Sequence, residues 1–576
     1  MRRHPSRAQA ARRARACAAA VAAWPTIVCA DASPFTPTPW PLDTSAPPPP
    51  AQNFAAPAPT AAAGAAAGPV PLAPAPAGAQ PPADAASQPS RPPPLALSVD
   101  GNLTATDNAT AAPDDQRRAD VLAILRPRAQ WRHQGAGLRA DVDVAAVMTA
   151  SAAGRVPATA RPDATATASA MLVDQWVGVD ASARAATVEA DPFGPRVQDT
   201  SAANQRVSQS YAISPYLRRR VGNLTVLARR DDGITLHAPG TDTTQVTSGS
   251  VLRLDLEPQP LGATASVSRR DSNDRGVALS RFTIEEARGG AMLALDGGDL
   301  RLGAEGGRDR VRTALTQHDD PMASASIDWH PTPRTDIAGS VQKRFFGHGG
   351  TFTVTHRTPF TSVSLRLSRE PVLESETLGG GAGAPGGGPA TLRSALDAIL
   401  TTRYPDAAVR AGLVDTLLAG RGGDQLLGGP VGLVADYPQL LSQALVTWAL
   451  LTPRTTLTVS GYTRTVQAIR RDGDPLEGLP GGSLDSRQSG GSLQVSRKLA
   501  PTLSFDALAQ ASRIQGLGDA HGNRSDDRVA RLWITKGLSP RATLTTGLQV
   551  ERFSSTVTGQ ADYTTRLAFL GFTERF

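Results

Sequence analysis

The chain has 576 residues, 40% of them hydrophobic and 5% aromatic, with 54 Gly and 47 Pro. That composition is too polar for a helical membrane protein, and no apolar run approaches the ~20 residues a transmembrane helix needs. The formal charge of +7 does not point to nucleic acid: without Arg2, Arg3, Arg7, Arg12, Arg13 and Arg15, the 59 basic and 52 acidic residues become 53 against 52, close to neutral.

Residues 1–30 read as a cleaved secretory signal. Those six arginines make a basic start, 16–28 is a short apolar stretch, and "VCA" ending at Ala30 supplies small residues for cleavage. Val28 stands where a lipoprotein signal wants a small residue, so Cys29 is not read as a lipidation site. Cys17 and Cys29 are the only cysteines. The exported chain then has neither a disulfide nor a cysteine-bound metal. Residues 31–94 are rich in Pro and Ala, with "PPPP" at 47–50 and "RPPP" at 91–94. They hold too little bulky apolar surface to fold, and read as an extended, disordered linker in the periplasm.

From Leu95 to Phe576 the texture is uniform. Segments of about ten residues alternate apolar with polar positions, separated by turn residues. In "TLSFDALAQAS", Leu503, Phe505, Ala507, Ala509 and Ala511 share one face. Ser504, Asp506, Gln510 and Ser512 share the other, with Leu508 as the exception. Leu544, Leu548 and Val550 share a face further on, as do Leu457 and Val459. Pro-centred turns recur at "SPYL" (214–217), "PQPL" (258–261), "PTPRT" (331–335), "TPRTT" (452–456), "APTL" (500–503) and "SPRAT" (539–543). Long polar loops such as 468–487 and 515–525 alternate with them. This turn–loop asymmetry belongs to transmembrane β-barrels. The expected fold is all-β: a transmembrane antiparallel barrel of about 22 strands (about 18 to 24), running from Leu95–Thr106 to Tyr563–Phe576. The stretch 271–290 is ambiguous.

Residues 374–436 break the pattern. After "GGGAGAPGGGP", Leu392, Ala395, Leu396, Ile399 and Leu400 recur at helical spacing. Ala408, Ala411, Leu413, Val414, Leu417 and Leu418 do so again after Pro405. The expectation is a helical insertion at 391–420, either plugging the lumen or capping it from outside.

Catalytic signals are absent. There is no G-x-x-x-x-G-K, G-x-S-x-G or H-E-x-x-H. His348 and His356 read as ordinary surface or lumen residues. "GRGGDQLLGG" (420–429) fits one calcium β-roll repeat, but a second coil is needed and no second copy is present, so the match reads as coincidence and leaves Asp424 only a weak calcium candidate. The acidic pairs Glu285/Glu286 and Glu374/Glu376 carry no mark of acid–base work. Arg301, Arg366, Asp506 and Arg528 read as inward-facing residues lining a polar lumen. No enzyme, cofactor or metal site is expected.

Several stretches, in order, resemble the PEP-CTERM-system-associated outer-membrane β-barrel proteins, which are linked to exopolysaccharide gene clusters. They are "LTATDNATAAPDDQRRADVLAILRPRAQW" (103–131), "VGVDASARAATVEADPFGP…NQRVSQSYAISPYLRRRVG" (177–222), "YPDAAVRAGLVDTLL…LTPRTTLTVSGYTR" (404–464) and the final "GFTERF". The resemblance implies the outer membrane of a Gram-negative bacterium. It also implies a part in exopolysaccharide export or PEP-CTERM protein sorting, as a pore or surface-assembly component. It supplies no catalytic residue. The alternatives are a general diffusion porin and a structural barrel with a filled lumen. Expected partners are outer-membrane lipid and lipopolysaccharide, the barrel-assembly machinery, and exopolysaccharide or its export machinery; nucleic acid is not among them. The last strand should carry the assembly signal on Leu570, Phe572 and Phe576, with Glu574 interrupting that apolar face.

Overall fold

The computed structural model describes residues 95–135, 137–173, 176–189, 191–195, 204–238, 244–275, 280–373, 396–397, 399–401, 410, 413–414, 438–471, 474–475 and 485–576. The chain divides into Met1–Pro34 and Phe35–Phe576, and every described residue belongs to the second unit. The expected signal (1–30) and linker (31–94) lie outside the described residues.

Twenty-two strands form one sheet. In chain order they are β1 (Leu95–Thr106), β2 (Asp120–Gln134), β3 (Leu138–Ser151), β4 (Thr159–Val173), β5 (Val177–Glu189), β6 (Gln205–Val221), β7 (Leu224–Ala238) and β8 (Thr244–Leu256). Then come β9 (Leu261–Asp274), β10 (Phe282–Leu295), β11 (Leu300–Arg312), β12 (Gln317–Thr332), β13 (Thr335–Arg344), β14 (Gly347–Arg357) and β15 (Thr361–Val372). The last are β16 (Gln439–Leu451), β17 (Thr455–Ala468), β18 (Ser486–Ala500), β19 (Leu503–Gly516), β20 (Arg524–Gly537), β21 (Ala542–Ser555) and β22 (Tyr563–Arg575). Each pairs antiparallel with its sequence neighbours, and β22 pairs with β1 from Leu567↔Thr106 to Arg575↔Ser98. The sheet is therefore closed, and no edge is left with unpaired backbone groups. The expected barrel, its strand number and its two end strands are borne out. The ambiguous stretch resolves into the end of β9 at Asp274 and the start of β10 at Phe282, with 276–279 outside the described residues.

Turns after even-numbered strands hold two to four residues, and most loops after odd-numbered strands are longer. Gly222, at φ +59°, makes the two-residue turn between β6 and β7, where a side chain would be strained. "SPYL" does not mark a turn: Pro215 lies inside β6, paired with Val179. Proline has no N–H to donate, and the β6–β7 ladder skips 214–215 while keeping its register. Four glycines lie under the ring of the aromatic residue directly across the ladder: Gly178–Tyr216, Gly339–Phe352, Gly490–Tyr462 and Gly547–Phe569. A Cβ at any of the four would meet the opposing ring at under 3 Å, so each glycine makes room for the ring beside it.

The two faces of the sheet differ as the alternation requires. Outward residues are apolar and exposed, among them Leu103 (54%), Leu261 (69%), Val341 (69%) and Leu548 (62%). A water-soluble surface does not carry such a belt. Trp131, Trp176 and Trp329 lie at its short-turn rim, and Arg219 stacks 3.5 Å from the Trp176 ring. The exposed aromatic residues are few but gathered at that end, with Phe360, Phe572 and Phe576 beside the three tryptophans, where amphipathic rings suit a lipid–water boundary.

Candidate functional site

The candidate site is the lumen, and its two sides are unlike. Every inward residue of β17 from Thr456 to Val466 is buried: Thr456 2%, Thr458 1%, Ser460 3%, Tyr462 8%, Arg464 4%, Val466 0%. Gln488, Gln494 and Ser496 on β18, and Ser504 and Asp506 on β19, are buried too. On the other side, inward Asp141, Thr165, Thr167, Arg301, His330 and Arg366 are exposed. A barrel of this size is too wide for side chains alone to fill. The lumen is thus occupied against β16–β19 and open at these positions of β3, β4, β11, β12 and β15, although Asp309, Met322, Arg344 and Ser368 on β11–β15 are buried.

Part of the occupying segment is described. Leu396, Asp397, Ile399 and Leu400 are helical, as are Arg410, Leu413 and Val414. The Thr401 amide donates to the Asp397 carbonyl at 3.0 Å, the i to i−4 bond of a helix. Arg410 Nε donates to Asp397 Oδ1 at 2.6 Å and ties the two helical pieces together. Leu396, Ile399, Leu400 and Val414 form one buried cluster with Ala449, and Leu413 and Leu451 pack against it. Ala449 faces inward near the short-turn end of β16, opposite Ser362 and Thr458. The insertion leaves β15 and re-enters β16 at the long-loop end. From Gln439 to Ala449 is about 33 Å of strand at 3.3 Å per residue. The described residues 396–397, 399–401, 410 and 413–414 therefore sit inside the barrel, against the β16 wall, and do not cap it from outside. Leu392, Ala395, Ala408, Ala411, Leu417, Leu418, Asp424, Glu374 and Glu376 lie outside the described residues.

The root of the insertion is fixed at the long-loop end. The Leu373 carbonyl accepts hydrogen bonds from Gln245 Nε2 (2.8 Å) and Ser272 Oγ (3.0 Å), on strands seven and six positions away. Leu373 also joins a buried cluster with Phe282, Ile284, Val311, Phe345, Phe346, Leu440 and Ile469. Beside it lies a buried ion network. Arg344 forks onto Asp309 with two bonds of 2.9 Å and reaches Glu286, which Arg270 also contacts at 2.7 Å. The side chains of Arg344, Asp309 and Glu286 are at most 6% exposed.

The open wall carries paired charges. Arg128 Nε donates to Asp143 Oδ1 at 2.7 Å, Gln130 joins the same carboxylate at 2.9 Å, and Arg132 pairs with Asp141 at 3.0 Å. Arg126 pairs with Asp163 across β3. Beyond that wall, the buried Arg229 of β7 bridges Asp180 and Asp231, at 2.7 Å each. Such a surface is hydrophilic along its length, with neighbouring charges of both signs, and suits a polar solute in water.

Of the residues read as lumenal from sequence, Arg301, Arg366 and Asp506 do face inward. Arg528 does not. Ser525, Asp527 and Val529 hold the inward positions of β20, so alternation turns Arg528 outward with Leu532 and Ile534. Glu285 and Glu286 are not a functional pair either. Glu286 enters the buried network, whereas Glu285 faces out to Arg269 (3.0 Å) and Arg312 (3.3 Å). His348 and His356 are on the outer face. Leu570, Phe572 and Phe576 are all outward and 48%, 41% and 64% exposed, with Glu574 on the same face. The hydrophobic and ionic anchors around Leu373 escaped sequence reading, because they join strands far apart in the chain.

Among the described residues, no group of three or more His, Cys, Asp or Glu is placed to hold a metal ion. No described helix is long and apolar enough to cross a membrane, which says nothing of crossing by strands. No family model matches the sequence, and no curated protein matches it. Solved structures do align. The FrpB iron transporter of Neisseria meningitidis is 9% identical, over 84% of this chain and 82% of that one, at a TM-score of 0.43. The ferric enterobactin receptor PfeA of Pseudomonas aeruginosa is 10% identical, over 83% and 81%, also at 0.43. The outer-membrane protein OpdK of P. aeruginosa is 8% identical, over 84% and 99%, at 0.31. These values carry nothing over to this chain, and the barrel assignment rests on its own strand pairing.

Proposed function

We propose that this chain is an outer-membrane barrel that passes hydrophilic cargo along an eccentric channel, narrowed from within by the insertion that includes residues 396–414. The observation that carries the reading is the cluster joining Leu396, Ile399, Leu400 and Val414 to Ala449 on the inner wall. The apolar outer belt, the closed sheet and the one-sided aromatic rim support a bilayer position. The charge-paired open wall of β2–β4 supports a polar cargo.

The sequence resemblance supports a setting in exopolysaccharide export or PEP-CTERM protein sorting, and in this proposal the cargo is a hydrophilic polymer or its assembly intermediate. A general diffusion porin is the second reading, favoured by the mixed charges of the open wall, which prefer neither sign. No catalytic step is part of either. The test is single-channel conductance in planar bilayers, before and after deletion of 379–430. A large rise on deletion supports an internal constriction, and no conductance in either form removes both pore readings. Unchanged exopolysaccharide secretion in a knockout leaves the porin reading and discards the export setting.

A further inference from the structure

The outward position of Arg528 opens a second site. Arg528 on β20 and Arg552 on β21 are register partners, directly across the ladder from one another. Arg552 faces Thr564 on β22, and Arg566 is two residues further along that strand, on the same outer face and within diagonal reach. All three are exposed. Their side chains make no hydrogen bond or ion pair among the described residues. Like charges directly opposite each other destabilise a sheet, and a shared anion would relieve that repulsion.

The nearby carboxylates are already engaged. Asp526 takes Arg513 and Arg524, at 2.6 Å each. Asp107 Oδ1 accepts the Arg566 backbone N–H at 2.7 Å, and its other oxygen faces Arg117 at 3.6 Å. Asp114 pairs with Arg117 at 2.7 Å, and Arg552 lies near enough to act on the same carboxylate without an ion pair. Below the three arginines the outer face is apolar, with Leu532 (51%), Leu548 (62%), Val550 (45%) and Leu570 (48%) exposed. Arg566 stands ten residues from Phe576, which is about 25 Å of height for a strand tilted ~40°. That places the arginines at the upper edge of the apolar belt, on the long-loop side.

We infer that Arg528, Arg552 and Arg566 form a docking site for the phosphate groups of an anionic lipid headgroup, the phosphorylated glucosamine of lipopolysaccharide. This rests on the membrane reading above. Arginine suits the task because its planar fork binds phosphate oxygens in pairs, and the lipid's acyl chains would lie on Leu532, Leu548 and Val550.

The test compares the full-length protein with the combined variant Arg528→Gln, Arg552→Gln, Arg566→Gln. Both are refolded into phosphatidylcholine vesicles and titrated with fluorescent lipid A, intact or dephosphorylated. The expected result is equal heat-modifiable insertion, with affinity for phosphorylated lipid A lowered on the order of tenfold in the variant. Dephosphorylated lipid A should bind both forms equally weakly. Equal affinity of both forms for phosphorylated lipid A overturns the site while leaving the membrane reading intact. Competition by millimolar inorganic phosphate overturns the lipid assignment. Failure of both forms to insert overturns the membrane reading and the site with it.

Discussion

Ile399 and Ala449 share one buried cluster, although Ala449 stands at the far end of β16 from the point where the insertion joins the barrel. Ile399 is 1% exposed. Placing a carboxylate there without a partner costs several kcal/mol, enough to detach the helical segment from the wall. Ile399→Asp should therefore raise single-channel conductance without altering the heat-modifiable migration of the barrel. A variant that conducts like the wild type would mean that the segment does not restrict the pore.

Arg344 holds two buried carboxylates, Asp309 and Glu286. Arg344→Ala strands Asp309 and leaves Glu286 to Arg270 alone, and breaking such an arrangement costs about 3–5 kcal/mol. The urea midpoint of unfolding, followed by tryptophan fluorescence, should fall accordingly. Arg126→Ala breaks a pair that is 40% and 46% exposed, and should cost no more than about 1 kcal/mol. Equal midpoints for the two variants would show that the Arg344 network does not brace the long-loop end.

Leu570 and Phe572 lie outward on the closing strand, with Leu570 opposite Leu103 and Phe572 opposite Gly101. Glu574 interrupts that face beside Val99. A carboxylate near the interface costs about 0–1 kcal/mol. Glu574→Tyr should thus leave stability almost unchanged and increase the yield of assembled barrel in cells, whereas Phe572→Ser should lower it. The readout is the folded fraction on an unboiled gel of outer-membrane extracts.

The loop 107–119 carries a pH-dependent tether. The Arg117 side chain donates to Asp114, which also accepts the Thr564 N–H at 2.8 Å. First the Arg117 bond, then the Thr564 bond, holds the Asp114 carboxyl below its usual range. A depressed folded-state pKa means that the tether stabilises above the unfolded value and is lost as pH falls through the lower folded one. Pepsin cleavage within 107–119 should then rise as the pH drops below about 4. Asp114→Asn should be cut more readily from the start and show a flatter profile; an identical profile would argue against the tether.

The sequence by itself determined the barrel. Period-two alternation, short turns set against long loops and an even strand count are local properties, written into each ten-residue segment, and closure follows because lipid tolerates no open edge. Even the helical character of Leu396, Ile399 and Leu400 was legible from spacing. Tertiary structure alone decided the rest. A helix pattern cannot say which wall it will meet, and only packing against Ala449 put the segment inside. Alternation also cannot be phased from one arginine: a one-residue shift reverses every side chain, so Arg528 read as lumenal until the burial of its neighbour Asp527 and its pairing with Arg552 fixed the face. The anchors at Leu373 link residues 101 and 128 positions apart, a separation at which local pattern carries no information.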